Sequence, residues 1–350
     1  MDKIGIVIIN YKDYAERFLL DCRDSLRQQN CGNFHYQVYL VDNASTELSR
    51  NFLTKNYPEA KILARIDGNY CAGNNLGAKT AIHDGCNYIV FVNMDTEMDK
   101  DWLKYLFLAS KNESFGIIQS KILLFNQKDK INSIGNIIHY LGFGFTDGYK
   151  NININKNTNL IELKGYTSGC SQIISKNVFD KIGYLDENYY MYHDDLEYSW
   201  RAKLAGYKIG LAEKSIVYHK YEFKRSVQML QYMERNRYLA ILHYYKLPTI
   251  LVLLPIFIVM DMAMIFYSIM GKWFKKKLNV YLYFFKISTW QEILKKRTAV
   301  KSIRRIKDKN IIKNFSGTIK FTEIENPVLK YLGNPLLNVY FIIIKKIIFW

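Results

Sequence analysis

Cysteine is scarce and does not fall into pairs. The five residues Cys22, Cys31, Cys71, Cys86 and Cys170 are an odd number in 350, with no C-x-x-C spacing and no Cys/His cluster. That argues against a disulfide framework and a structural zinc, and reads as a reduced, cytosolic chain. A secretory leader is also missing: the apolar run Ile4 to Ile9 behind Met1-Asp2-Lys3 is too short for an h-region and is better read as a buried strand. No G-x-G-x-x-G is present in the glycine-rich segment, so a dinucleotide-binding fold is not supported. Acidic residues run out toward the end. Residues 1–219 carry 25 basic and 25 acidic side chains, and residues 220–350 carry 24 and 7, so the last third holds the whole excess of 17. Such asymmetry points to an anionic partner, either nucleic acid or a membrane surface. It also sets a boundary near residue 220, giving a first domain of 1–225 and a second of 226–350.

With 49% hydrophobic and 23% charged residues, the chain has enough apolar material for a sizeable core. Short β-rich runs at Ile4 to Ile9, Gln37 to Val41, Lys61 to Arg65, Tyr88 to Val92 and Phe115 to Gln119 alternate with segments of helical spacing. These are Tyr14 to Gln29, Thr46 to Asn56, Ala72 to Asp84 and Lys100 to Lys111. The alternation predicts an α/β fold with a mainly parallel sheet and helices on both faces. In such sheets ligands bind beyond the carboxyl ends of the strands. Residues 126–160 read as a long loop or hairpin insertion. From Ile161 the pattern resumes, with strands at Ile161 to Lys164 and Ser171 to Ser175 and helices over Lys176 to Ile182 and Tyr189 to Ala205. Two short strands follow, Lys208 to Ala212 and Ser215 to His219.

Polar groups follow the strands. Asn10 closes the first, and Asp42 opens a small-residue turn after the second. Asp42 serves either a ligand or the cap of the helix starting near Thr46. Asn69, Gly73, Asn74 and Asn75 lie in a Gly/Asn-rich turn that opens a helix, a place where backbone can approach a phosphate or sugar. Asn93 and Asp95 stand two apart at a strand end, so their oxygens point the same way and suit a hard divalent cation on a diphosphate. Asp194 and Glu197 match a capping box, which leaves Asp195 as a candidate general base or as a mere partner of the helix dipole. His219 closes a strand, where a lone histidine is either structural or a ligand.

Together these motifs closely resemble the family 2 glycosyltransferases of the GT-A fold, in particular their rhamnosyltransferase-like branch, in the right order over residues 3–245. The resemblance implies a Rossmann-like, mainly parallel sheet and an inverting sugar transfer from a nucleotide-diphosphate sugar to a hydroxyl of a glycan or lipid-linked acceptor. It implies nucleobase recognition by Asp42 and donor contacts from Asn10, Asn69, Gly73, Asn74, Asn75 and Asn93. It also implies Mg²⁺ or Mn²⁺ on Asp95 with His219, acceptor-side contacts at Gly169 and Cys170, and base chemistry at the Asp194-Asp195 pair, with Asp195 as the base. Met94 stands where the branch usually has proline, and Asp194 where it usually has glutamate.

Leu247 to Gly271 holds one charge, Asp261, over a length that could span a bilayer. Pro255 interrupts it and basic residues flank both ends, so a kinked re-entrant or in-plane helix fits better than a span. The segment Leu336 to Trp350, broken by Lys345 and Lys346, reads as interfacial. The expectation is a C-terminal helical membrane-associated region, peripheral or monotopic on the cytoplasmic face of the cell membrane. The competing reading is a nucleic-acid-binding tail. It would leave the long apolar runs exposed to water, so no nucleic acid is expected.

Overall fold

The runs with no polar alternation become strands buried on both faces, as a parallel sheet requires. The computed structural model describes residues 1–154, 158–222, 229–320 and 326–350, which fall into two compact units. The first comprises residues 1–136, 146–202 and 207–221; the second comprises 137–145, 203–206 and 222–350. The expected boundary at 225/226 lies outside the described residues.

In the first unit β1 (Asp2–Asn10), β2 (Phe34–Asp42), β3 (Lys61–Ala64) and β4 (Tyr88–Val92) are parallel in the order β4-β1-β2-β3. The helices α1 (Tyr14–Arg27), α2 (Glu47–Asn56) and α3 (Tyr70–His83) make their crossovers. A short β5 (Thr96–Met98) and α4 (Trp102–Ser110) lead into β6 (Phe115–Leu124). Of the two forms expected for 126–160, a loop or a hairpin insertion, the structure shows hairpin pairing. The segment contains β7 (Gln127–Ser133), antiparallel to β6, and a two-stranded pair, β8 (Asn136–Ile138) with β9 (Gly144–Thr146). β10 (Leu160–Glu162), β11 (Ser171–Ser175), α5 (Lys176–Ile182), α6 (Asp194–Leu204) and β12 (Lys208–His219) complete the sheet and its helices. The full order is β10-β12-β6-β11-β4-β1-β2-β3, with β6 and β12 parallel and β11 antiparallel between β4 and β6. The core below it is aliphatic and aromatic, with Ile6, Ile8, Leu40, Val90, Trp102 and Ile118 fully or almost fully buried.

Several local expectations change. The two strands expected over 208–219 are one strand with an irregularity between Ala212 and Ile216. α6 begins at Asp194, not Tyr189, because Tyr190, Tyr192 and His193 all take positive φ, which a helix cannot continue. Gly206, at φ +92, ends that helix as its position predicts.

The second unit holds most of the β8–β9 pair and is otherwise helical: α7 (Leu230–Tyr244), α8 (Leu247–Met270), α9 (Phe274–Phe284), α10 (Ile287–Ile303), α11 (Asp308–Ile312) and α12 (Asn334–Ile347). α8 runs unbroken through Pro255. It is one helix long and apolar enough to cross a membrane. Asp308 caps its start, accepting from Lys246 N at 2.8 Å and Thr249 Oγ1 at 2.6 Å.

Candidate active site

The carboxyl ends of the strands bring most of the predicted residues into two clusters, both in the first unit. In the first cluster, parallel pairing sets Asn10 opposite Asp42. Asn10 Nδ2 donates to Asp42 Oδ1 at 2.8 Å, and Ser49 Oγ donates to Asp42 Oδ2 at 2.6 Å. Asp42 is fully buried, so both carboxylate oxygens already hold a bond. It does not cap α2. Thr46 does, accepting from Ser49 N at 3.0 Å while Ser49 Oγ accepts from Thr46 N at 2.9 Å. Beside it Asn43 Oδ1 is buried without a partner.

The second cluster runs across β4, β5, β11, β12 and α6. The Asn93 backbone N–H donates to Cys170 O at 2.9 Å, and Asn93 Oδ1 accepts from Tyr70 OH at 3.1 Å. The next residue back, Gly169, donates its N–H to Asp195 Oδ2 at 3.2 Å, and Leu196 N donates to Asp195 Oδ1 at 2.8 Å. Antiparallel pairing of β5 with β12 sets Thr96 opposite His219. That register leaves Asp95 Oδ1 at 3.4 Å from His219 Nε2. Sequence spacing could not show this proximity, because the two residues meet only through strand pairing.

The Asp95–His219 pair has the chemistry of a cation site. Asp95 is 8% exposed, and its Oδ1 makes no hydrogen bond despite the short distance to His219. On the far side of the ring, His219 Nδ1 lies 2.9 Å from Asn132 Oδ1. An amide oxygen only accepts, so Nδ1 carries the proton and Nε2 of a neutral ring turns its lone pair toward the carboxylate. Two facing acceptors need a cation or a proton between them. Burial works against a charged imidazole, yet Cys170 and Asp95 outweigh it and hold the His219 pKa well above its usual value. Both readings say that the pocket favours positive charge. Among the described residues no group of three or more His, Cys, Asp or Glu is arranged to hold a metal. A divalent ion here would therefore draw its remaining ligands from water and phosphate oxygens, as Mg²⁺ sites commonly do. Asn132, on β7, fixes the histidine from behind, the usual task of an outer-shell partner. It was missed because its segment has no periodicity and reads as an insertion.

The two adjacent aspartates differ in access. Asp194 is buried and Asp195 half-buried. Burial pushes both carboxyl pKa values up; the charge of Asp195 pushes Asp194 further, while the N–H groups of Gly169 and Leu196 restrain Asp195. The expected capping box places Asp194 just before the helix, whereas the helix takes Asp194 as its first residue. Glu197 Oε2 accepts from Arg201 Nη2 at 3.0 Å. Arg201 in turn ties the preceding loop through Ile182 O at 2.7 Å and Tyr184 O at 2.8 Å.

The Gly/Asn segment opens a helix as expected, beginning two residues before the expected Ala72. Asn69 is the N-cap of α3, accepting from Ala72 N at 3.1 Å, and Gly73, Asn74 and Asn75 lie inside the helix and are buried. Gly77 is there for packing: a Cβ on it would stand 2.4 Å from Val7 Cγ1 on β1. Asn74 Nδ2 bonds Tyr70 O at 3.0 Å. Asn75 bonds both backbone groups of Leu185 and the Glu187 carboxylate, at 2.9–3.0 Å, and so holds the loop leading toward the aspartates.

A model of Glycosyl transferase family 2 matches residues 5–183, just over half of the chain. The low-salt glycan biosynthesis hexosyltransferase Agl10 of Haloferax volcanii is 26% identical over 256 residues, covering 69% of this chain and 76% of that protein. Among solved structures, GalNAc-T7 with UDP, GalNAc and Mn²⁺ superposes with a TM-score of 0.51 at 14% identity, over 69% of this chain. The aligned part covers 48% of that chain, about half its length, and the likeness shows the shared GT-A type of fold.

Proposed function

The chain belongs to glycosyl transferase family 2 and is a glycosyltransferase, and from that premise we propose an inverting transfer in glycan biosynthesis, with Asp195 as the base. The donor is a nucleotide-diphosphate sugar, a hexose or rhamnose, and the acceptor a hydroxyl of a glycan or lipid-linked glycan. The observation that carries this reading is the placement of Asp195. It is the more accessible of the two aspartates, and it is joined through Gly169, Cys170 and Asn93 to the segment that ends at Asp95 and His219.

The donor lies across the strand ends, its base toward Asp42 and its diphosphate toward Asp95. For Asp42 to read the base, a base N–H must take a lone pair that Asn10 and Ser49 leave over. Asp195 accepts the proton of the acceptor hydroxyl as that oxygen attacks the anomeric carbon from the face opposite the diphosphate. The anomeric C–O bond breaks, the nucleoside diphosphate leaves with the electron pair, and configuration inverts. One positioned base contributes about 10² to 10⁴-fold. Asp95 and His219 would hold Mg²⁺ or Mn²⁺, which supplies charge compensation for the leaving diphosphate. Gly169 and Cys170 border the acceptor side, where the Gly169 N–H fixes the base. The relatives support the class: Agl10 is named a hexosyltransferase of glycan biosynthesis, and GalNAc-T7 was solved with UDP and Mn²⁺.

A screen of nucleotide sugars, scored by nucleoside diphosphate release with and without a lipid-linked acceptor, tests this. Turnover should need a divalent ion and should disappear in excess EDTA. Full turnover in EDTA would remove Asp95 and His219 from the metal role. A product that keeps the donor's anomeric configuration would remove Asp195 from the base role.

A further inference from the structure

The circumference of α8 is divided. Thr249, Leu253, Ile256, Met260 and Ser268 face inward and are buried, whereas Leu251, Leu254, Ile258, Met262, Phe266 and Ile269 are exposed. The inward side also meets charge. Lys277 of α9, wholly buried, donates to Asp261 Oδ1 and to Glu234 of α7, both at 2.6 Å. Tyr281 OH donates to Asp261 Oδ2 at 2.8 Å, and Tyr238 OH bonds the other oxygen. A helix drawn out to cross a bilayer would strip Lys277 and Asp261 of each other in hydrocarbon, where unpaired charge is expensive. One face of α8 is thus committed to a polar interior, while the other is uncharged and open. α12 repeats the division. Leu337, Phe341 and Ile344 are buried, Val339, Ile342 and Ile343 are exposed, and Tyr340 OH donates to Val252 O of α8 at 2.5 Å. Lysines stand at the ends: Lys246 before α8, Lys272 and Lys275 after it, Lys345 and Lys346 at the end of α12.

We propose that the outer faces of α8 and α12 seat in the headgroup region of an anionic lipid bilayer, with α8 in the plane and both of its ends on the same side. Charge selects the occupant. Residues 220–350 carry 24 basic against 7 acidic side chains. A second copy would bring two such excesses together, and nucleic acid would leave the apolar faces in water. An anionic bilayer meets both needs, with aliphatic burial below the headgroups and basic residues within a Debye length of the lipid phosphates. This seating does not depend on the catalytic reading.

Flotation of the full chain with phosphatidylcholine vesicles, with and without phosphatidylglycerol, tests it. Binding should be stronger with the anionic lipid and should persist in about 1 M NaCl, where charge is screened within about 3 Å, because salt does not reverse apolar burial. Ile258→Lys with Met262→Lys should lower the vesicle-bound fraction about a hundredfold. Leu251→Ser with Phe266→Ser, which adds no charge, should lower it about tenfold. All four side chains are exposed, so melting should not move. In a Cys31→Ser background, a maleimide should label Leu247→Cys and Lys275→Cys from the same side of sealed vesicles. Labelling from opposite sides would overturn the in-plane seating. Failure to float, release by salt alone, or a soluble dimer that shields these faces would overturn the lipid surface itself.

Discussion

The two units treat buried polar groups in opposite ways. In the helical unit the charges are spent on one another. Glu234 bonds Arg237 and Lys277, Lys277 bonds Asp261, and Asp308 bonds Arg304, Thr249 and the start of α8. At the strand ends of the first unit, buried groups are left wanting. Asp95 Oδ1 and Asn43 Oδ1 lack hydrogen bonds, and two adjacent carboxyls are held above their ordinary pKa. A buried polar group without a partner costs free energy, and a fold keeps it where a ligand completes it. Buried charge in the second unit therefore serves stability, as the Glu197–Arg201 and Lys121–Glu213 pairs do in the first, whereas the unsatisfied groups at the strand ends are the ones the proposed function uses. Substitutions should separate the two cleanly.

Asp195→Asn should give the largest effect, lowering turnover by about 10² to 10⁴-fold in a nucleoside diphosphate release assay while donor binding stays. Its melting temperature at neutral pH should change little, because the amide keeps one acceptor for the two N–H groups of Gly169 and Leu196 while losing a carboxylate that burial disfavours. The folded carboxyl titrates above its unfolded value, so the folded state holds the proton more tightly, and stability declines as pH rises through that window. Removing the group removes the penalty. In the native enzyme the rate should fall on acidification with a midpoint above the ordinary aspartate value of about 3.9, because the base must be ionised. A drop in melting with unchanged turnover would reverse the assignment of charge to the two units.

Lys277→Met is the counterpart in the second unit. It leaves a buried Glu234 and a half-buried Asp261 with fewer partners and should cost about 3–5 kcal/mol, read by denaturant unfolding, with turnover per folded molecule unchanged. Asn132→Ala comes next. Loss of the acceptor behind His219 should weaken Mn²⁺ affinity about 10- to 100-fold by calorimetric titration, with little change in melting. Equal metal affinity in that variant would reduce Asn132 to a packing residue.

How far the sequence could be read follows the same division. Strand runs such as Ile4 to Ile9 and Tyr88 to Val92, and the helix Lys176 to Ile182, are local patterns, and they stand where they were expected. The placement of candidate residues was legible where they sit at or just beyond strand ends, as Asn10, Asp42 and Asp95 do. It was not legible where tertiary contact decides. The helix Ala72 to Asp84 was expected, but that Gly77 would pack on Val7 and Asn75 bond Leu185 is decided by tertiary contact. The positive φ at His193 that starts α6 at Asp194, and the bond from Arg201 to Glu197, are invisible in spacing. The single charge in the apolar run Leu247 to Gly271 looked like a defect of a membrane span, and only the packing of α9 shows its partner.

The smallest effect sits at the border between the two uses of polar groups, in the turn after β2. Thr46 and Ser49 form the capping box of α2, and the same Ser49 hydroxyl donates to Asp42. Thr46→Ala removes the cap acceptor and should cost about 1 kcal/mol in thermal unfolding. Nucleotide affinity should stay the same, since Thr46 is exposed and bonds only Ser49 among its side-chain partners. Asp42→Asn should do the reverse. An amide can still accept from Asn10 and donate to Ser49, so the turn survives, while the charge that a base N–H would meet is gone. If Thr46→Ala weakened nucleotide binding as much as Asp42→Asn does, the carboxylate and the cap would be one structural unit, and Asp42 would belong to the helix and not to the donor.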